Sequence, residues 1–142
     1  MTESELFLID TNLLVYAFEK EDGLKNKQAK EIVNSCWQGT LNLAVSNQNI
    51  AEFVYVSIRK AKLDFSQAET IVSYINGFNG FIKINYSADT VISAVKIAHE
   101  FKMSFWDSLL AATMKENGIF KIYTENVKDF RMPWIKAINP MK

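Results

Sequence analysis

Asp10, Glu52 and Asp107 are the residues of this sequence whose type and setting could support chemistry. Asp10 closes the apolar run Phe7-Leu8-Ile9, and Leu13, Leu14, Tyr16 and Ala17 then follow at helical spacing. Such a strand-to-helix switch puts Asp10 at the carboxyl end of a strand, the edge where open α/β sheets bind ligands. A carboxylate there either caps the next helix or holds a cation. Glu52 lies in Ile50-Ala51-Glu52-Phe53-Val54-Tyr55-Val56-Ser57-Ile58, apolar on nearly every side of a predicted helix. Helices of that kind are usually buried, and a buried carboxylate needs a partner charge or a metal. The plainer alternative is a narrow solvent-facing stripe shared with Arg59 and Lys62. Asp107 stands three residues after Ser104, so a capping box would explain it without chemistry. The stretch that follows, Ser108 to Met114, is nearly all apolar, which predicts a buried helix with one acid at its start.

Brought together, these carboxylates would have no cation inside their own motifs. Like charges raise one another's pKa unless a cation joins them. Oxygen ligands without His or Cys select Mg²⁺ or Mn²⁺ over zinc or copper. A metal held this way bridges a phosphate and activates water, so in-line hydrolysis of a phosphodiester is the reaction that fits. His99 is the only histidine, which excludes an acid–base nuclease built on two histidines. It falls in a predicted amphipathic helix, at the surface or half-buried. No Gly-rich phosphate loop is present; Gly77 and Gly80 read as turn residues.

The elements that must position these acids alternate. Strands are predicted at Phe7–Ile9, Leu41–Val45, Phe81–Ile84, Lys121–Tyr123 and Lys136–Ile138. Helices are predicted after Asp10, over Asn26–Gln38 with Gly39 closing, over Asn47–Ala61 capped by Ser46, and from a capping box at Ser66-Gln67-Ala68-Glu69 to Gly77. Two more run from Ser87 to Phe101 and from Ser104 to Asn117-Gly118. Thr124 to Phe130 reads as a polar loop on the same sheet edge as Asp10 if the strands are parallel, although its residues would also suit plain turns. The alternation argues for a parallel sheet covered on both faces: an α/β fold, a three-layer α/β/α sandwich with a mostly parallel sheet of about five strands. The 142 residues suffice for one domain with a full core. Lys+Arg and Asp+Glu both number 16, so no net basic charge advertises a polyanionic partner, though a local basic patch would serve. Cys36 is alone, which excludes an internal disulfide and predicts a small buried hydrophobe. The acidic N-terminus is wrong for a signal peptide, and no apolar run reaches the ~20 residues that span a bilayer, so a cytoplasmic protein without a membrane role is expected.

In order along the chain, four segments resemble the PIN-domain family, specifically its VapC-type toxin branch. They are Ile9-Asp10-Thr11-Asn12, then Ser46…Gln48…Glu52-Phe53, then Trp106-Asp107-Ser108-Leu109-Leu110-Ala111-Ala112, and finally Tyr123-Thr124-Glu125-Asn126-Val127-Lys128-Asp129-Phe130. The resemblance implies one nuclease domain over residues 1–142 and a metal-dependent ribonuclease site. It carries the acidic ligand roles to Asp10, Glu52 and Asp107, with Thr11, Ser46 and Thr124 as hydroxyl partners. The family's fourth acid, often an Asp two residues after the Thr, corresponds to Asn126 here, and Glu125 or Asp129 is an alternative source of that charge. RNA as substrate, an antitoxin protein as partner and a possible homodimer are likewise implied. Three other readings compete. One is a housekeeping RNA-processing nuclease on the same fold, and another is a non-catalytic RNA- or protein-binding module on a degenerate one. The third is a phosphotransferase with Asp10 as nucleophile, which would want a second Asp where Asn12 stands.

Overall fold

A computed structural model describes residues 5–60 and 63–141. Strand β1 (Leu6–Ile9) leads into helices α1 (Thr11–Phe18) and α2 (Leu24–Trp37), then β2 (Asn42–Ser46), α3 (Asn47–Arg59), α4 (Phe65–Gly77) and β3 (Phe81–Ile84). Helices α5 (Ala88–Phe101) and α6 (Phe105–Glu116) precede β4 (Lys121–Tyr123), a 3-10 turn at Val127–Asp129 and β5 (Lys136–Ile138). The strands form one sheet in the order β3-β2-β1-β4-β5, with every pairing parallel.

Alternation along β1 explains the layers. Phe7 and Ile9 face a core with Leu13, Leu14, Val33, Phe53 and Ile75, contributed by α1, α2, α3 and α4. Leu8, between them, points to the opposite face and packs with Ala94, Ile97, Leu109, Leu110 and Met114 of α5 and α6. A central strand buried on both sides reads as an unbroken apolar run, as the sequence here does. The expected three-layer α/β/α sandwich with a five-stranded parallel sheet is the observed fold.

Most helix starts follow the predicted caps. The Ser46, Ser87 and Ser104 hydroxyls accept the N3 backbone N–H groups of α3, α5 and α6. Gly39, with φ +80°, closes α2 in the left-handed region where a side chain would be strained. Cys36 is buried on the inner face of α2, as expected.

Two expectations are corrected. The capping box of α4 is Asp64 with Gln67, not Ser66 with Glu69. Asp64 Oδ1 accepts the Gln67 N–H at 2.8 Å, and Gln67 Oε1 accepts the Asp64 N–H at 3.0 Å. The charged acceptor two residues upstream makes the stronger cap, which starts the helix earlier. Nor is α3 buried all round: Gln48, Asn49, Phe53 and Ser57 are buried while Tyr55 is 60% exposed. The predicted end of this helix at Ala61, and the Lys62 of the proposed solvent stripe, lie outside the described residues.

Candidate active site

The path of the chain through the sheet creates the site. After β1 the chain moves toward β2 and β3, whereas after β4 it moves the other way, to β5. The carboxyl ends of β1 and β4 are therefore a topological switch point, where connecting segments diverge and leave a crevice. Asp10 N–H donates to the Tyr123 carbonyl at 3.0 Å, extending the ladder by one residue. Asp10 and Thr124 thus sit side by side at the mouth of that crevice, and the Thr124 hydroxyl donates to Asp10 Oδ2 at 2.8 Å. Asp10 Oδ1 accepts the Thr11 N–H at 2.8 Å, so Asp10 is also the N-cap residue of α1. Capping and site geometry coexist in one side chain.

Helix α3, entered directly from β2, brings Glu52 to the same crevice, where the Thr11 hydroxyl donates to Glu52 Oε1 at 3.3 Å. Asp107 arrives on the first turn of α6. Only the backbone half of its capping box is made, Asp107 N–H to Ser104 Oγ at 3.1 Å. The three acids line one open cavity of about 390 Å³ together with Asn126, and its wall also includes Tyr16, Glu19, Gln48 and Lys60.

The electrostatics follow from this crowding. Burial pushes the Asp10 carboxyl above its usual range, opposed by the Thr124 and Thr11 hydrogen bonds and reinforced by the charges of Asp107 and Asp129. Burial also raises Glu52, with Asp10 adding like-charge repulsion. Asp107 is raised by burial and by Asp129, against a lowering contact with Ser104. Among the described residues, ion pairs join Lys25 to Glu125 and Lys121 to Glu5, and neither involves these acids. As placed, no three carboxylate, His or Cys side chains among the described residues are close enough to hold one ion jointly. The acids share a cavity, and each is tethered to its own hydroxyl or helix cap.

A model of the PIN domain matches residues 7–132. The chain belongs to the PIN-domain family. No curated protein matches it in sequence. Among solved structures, this PIN domain resembles a toxin–antitoxin complex from Klebsiella pneumoniae (22% identity, 94% of this chain and 97% of that one, TM-score 0.67). It also resembles Mycobacterium tuberculosis VapC20, described as a Sarcin-Ricin loop cleaving toxin (19%, 83% and 88%, TM-score 0.65). A third neighbour is VapBC2 from Rickettsia felis bound to a DNA fragment from its promoter (17%, 94% and 97%, TM-score 0.67). At these identities the likeness is one of fold.

The donor set of this PIN domain fits a hard divalent cation. Every polar side-chain atom the acids offer the cavity is oxygen, and their charges have no ion-pair partner. Gln48 Oε1 is in addition a buried acceptor with no hydrogen-bond partner in the same cavity wall, while its Nε2 donates to the Trp106 carbonyl at 2.9 Å.

The structure separates the three residues considered for the fourth position. Asn126 lines the acid cavity, and its N–H donates to Thr124 Oγ1 at 3.0 Å. Glu125 turns away: its carboxylate pairs with Lys25 Nζ at 2.7 Å and accepts the Tyr16 hydroxyl at 3.1 Å. Asp129 is exposed on the 3-10 turn, yet its charge reaches both Asp10 and Asp107. Ser46 hydrogen-bonds none of the acids and works through Asn49, whose Oδ1 accepts its hydroxyl at 2.7 Å. Asn49 itself escaped the sequence reading. It is fully buried, and its Nδ2 donates to Thr11 Oγ1 at 3.0 Å and lies 3.5 Å from Asp10 Oδ1. The available signal was a polar residue at N3 behind a Ser cap. His99, by contrast, is exposed on α5, far from any role here.

Proposed function

We propose that this PIN domain is a divalent-metal-dependent endoribonuclease that hydrolyses RNA phosphodiesters as the toxin of a toxin–antitoxin pair. The observation that carries the reading is the gathering of Asp10, Glu52 and Asp107, unpaired and with raised pKa values, in one open cavity at the switch point of the sheet. These three would have to close on Mg²⁺ or Mn²⁺ to hold it, since as placed they do not jointly reach one ion. When bound, such an ion supplies Lewis-acid stabilisation of the negative charge that develops on the phosphate.

The chain's own groups supply the rest. The Thr124 and Thr11 hydroxyls orient Asp10 and Glu52 toward the cavity. Lys60, at the rim of the cavity, offers a cation to the substrate phosphate. At the fourth position Asn126 contributes a neutral amide oxygen, and the charge of Asp129 acts on Asp10 and Asp107. Glu125 acts as a strut, holding the loop after β4 against α1 and α2 through Tyr16 and Lys25.

The toxin assignment is supported by neighbours described as toxin–antitoxin complexes and as a Sarcin-Ricin loop cleaving toxin. A cytoplasmic location, an antitoxin protein partner and a homodimer go with that assignment, and no helix among the described residues is long and apolar enough to cross a membrane. One observation favours a non-catalytic RNA-binding module, the neutral Asn126 at the fourth position. Induced expression in a bacterial host separates the two. The wild-type chain should arrest growth with loss of a defined RNA, and Asp10→Asn should not. Equal growth of both strains would remove the toxin reading.

A further inference from the structure

Asn49 is fully buried at the N3 position of α3, and both ends of its amide are used. Oδ1 accepts the Ser46 hydroxyl at 2.7 Å and the Ser46 backbone N–H at 3.4 Å. Nδ2 donates to Thr11 Oγ1 at 3.0 Å and lies 3.5 Å from Asp10 Oδ1. These neighbours fix which end is which. A backbone N–H only donates and a carboxylate only accepts, so a reversed amide would set donor against donor at Ser46 and acceptor against acceptor at Asp10. The Thr11 hydroxyl has a single proton. With Nδ2 donating to its oxygen, that proton goes to Glu52 Oε1 at 3.3 Å.

We propose that Asn49 is a positioning residue of the active site: its amide aims the Thr11 proton at Glu52 and so tethers that carboxylate at the cavity, from which it closes on a divalent cation. The proposal deepens the metal-dependent nuclease reading and rests on it.

The helix start by itself does not call for an amide. Ser46 Oγ accepts the Asn49 backbone N–H at 2.9 Å, a bond that any side chain at this position leaves intact. The reciprocal half of the capping box needs one acceptor atom. At the same position of α5, Thr90 supplies it with a hydroxyl that accepts the Ser87 N–H at 3.0 Å. Asn49 carries a donating end as well, and that end is turned to Thr11 and Asp10. The two acids depend on it unequally. Asp10 keeps the Thr11 N–H and the Thr124 hydroxyl, each at 2.8 Å, without Asn49. Glu52 is reached through the Thr11 hydroxyl, a longer contact that exists only while the proton points that way. A hydroxyl relieved of the Asn49 donor rotates to suit other partners.

The test is calorimetric titration of Mn²⁺ into the full chain and its variants, with melting temperatures in EDTA read alongside. Asn49→Thr keeps an acceptor for the cap and lacks the donating end; Asn49→Leu keeps neither. Both should raise the Mn²⁺ Kd about 10- to 100-fold, the usual effect of removing a group that orients a metal-binding side chain from behind. Asn49→Thr should nonetheless melt closer to wild type than Asn49→Leu does. Thr11→Val should show the same loss of affinity, and Thr11→Ser, which keeps the hydroxyl, should restore it. In Thr11→Val protein, Asn49→Thr should cost nothing further. Wild-type affinity in Asn49→Thr overturns the proposal, and so does a second loss of full size in the Thr11→Val background. A loss in Asn49→Thr that comes with a melting temperature as low as that of Asn49→Leu marks a structural role only and overturns it too. Should Asn49→Thr fail to fold, the Thr11 pair decides, and equal affinity of Thr11→Val and Thr11→Ser overturns it. Wild type that takes up no Mn²⁺ overturns the proposal together with the metal site. Binding that follows this order without any RNA cleavage removes the nuclease reading and leaves the role of Asn49 standing.

Discussion

Asp10→Asn changes one oxygen to an amide and leaves the local scaffold intact. Asn is as good an N-cap residue as Asp. Its Oδ1 can keep the Thr11 N–H, and its Nδ2 can donate to the Thr124 hydroxyl, which reverses its role from donor to acceptor. What disappears is a buried negative charge that the fold places near Glu52 and Asp107. Metal-free Asp10→Asn should therefore be as stable as wild type or more so, as expected where a site trades stability for activity. Metal reverses the order. At 100 times its dissociation constant an ion that binds only the folded state adds ~2.7 kcal/mol. With ~2.1 cal/mol/K of unfolding entropy per residue, a chain of this length gains or loses about 0.3 kcal/mol per degree. Wild type should then melt roughly 9 °C higher in saturating Mn²⁺ than in EDTA. Asp10→Asn should show less than half that shift at the same concentration. Differential scanning fluorimetry over a Mn²⁺ series, with Ca²⁺ and Zn²⁺ as controls, reads both numbers. An undiminished shift in Asp10→Asn would refute the reasoning, because the ion would then be bound without Asp10.

Further expectations rest on the same geometry. The folded pKa values of Asp10, Glu52 and Asp107 are raised above the ordinary 3.8, 4.5 and 3.8, so between ordinary and folded values the native state binds more protons than the unfolded chain. Metal-free stability from these groups is thus full below the ordinary values and is lost as pH rises through the folded ones. The melting-temperature advantage of Asp10→Asn over wild type in EDTA should grow with pH across that window; a pH-independent difference contradicts it. Asn126→Asp should tighten Mn²⁺ binding in calorimetry and lower metal-free stability through repulsion, while Asn126→Ala should weaken binding less than Asp107→Ala does. If Asn126→Asp leaves affinity and stability unchanged, residue 126 does not contact the ion and Asp129 becomes the residue to vary. Asn49→Ala strips a fully buried amide from Ser46 and Thr11, at a cost of about 1–3 kcal/mol or a melting temperature ~3–10 °C lower. An unchanged melting temperature would mean that Asn49 does not brace the site.

Where each residue type has one physical use, the sequence was legible. Phe7-Leu8-Ile9 can only be a strand buried on both faces, and Ser46, Ser87 and Ser104 offer caps that nothing nearby outcompetes. Asp10 at a strand end and Asp107 at a helix start followed from those boundaries, and the structure brings both to one cavity with Glu52 from within α3. Legibility failed where two residues competed or where burial ran against hydropathy. Asp64 displaced Ser66 as the α4 cap because a carboxylate is the stronger acceptor. In α3 the buried face carries Gln48, Asn49 and Ser57, the first two tied to polar groups around the crevice, while Tyr55 faces solvent. Hydrophobic periodicity cannot detect a helix whose inner face mixes Phe53 with polar residues that serve a site.

The central claim is that Asp10, Glu52 and Asp107 hold a divalent cation for phosphodiester hydrolysis. It is tested most directly by incubating purified protein with single-stranded RNA and mapping the product ends. With Mg²⁺ or Mn²⁺, in-line attack by water should leave 5′-phosphate and 3′-hydroxyl ends, and both EDTA and Asp10→Asn should abolish cleavage. Cleavage that persists in EDTA and in Asp10→Asn, or that leaves 2′,3′-cyclic phosphates from attack by the RNA's own 2′-hydroxyl, would contradict the account.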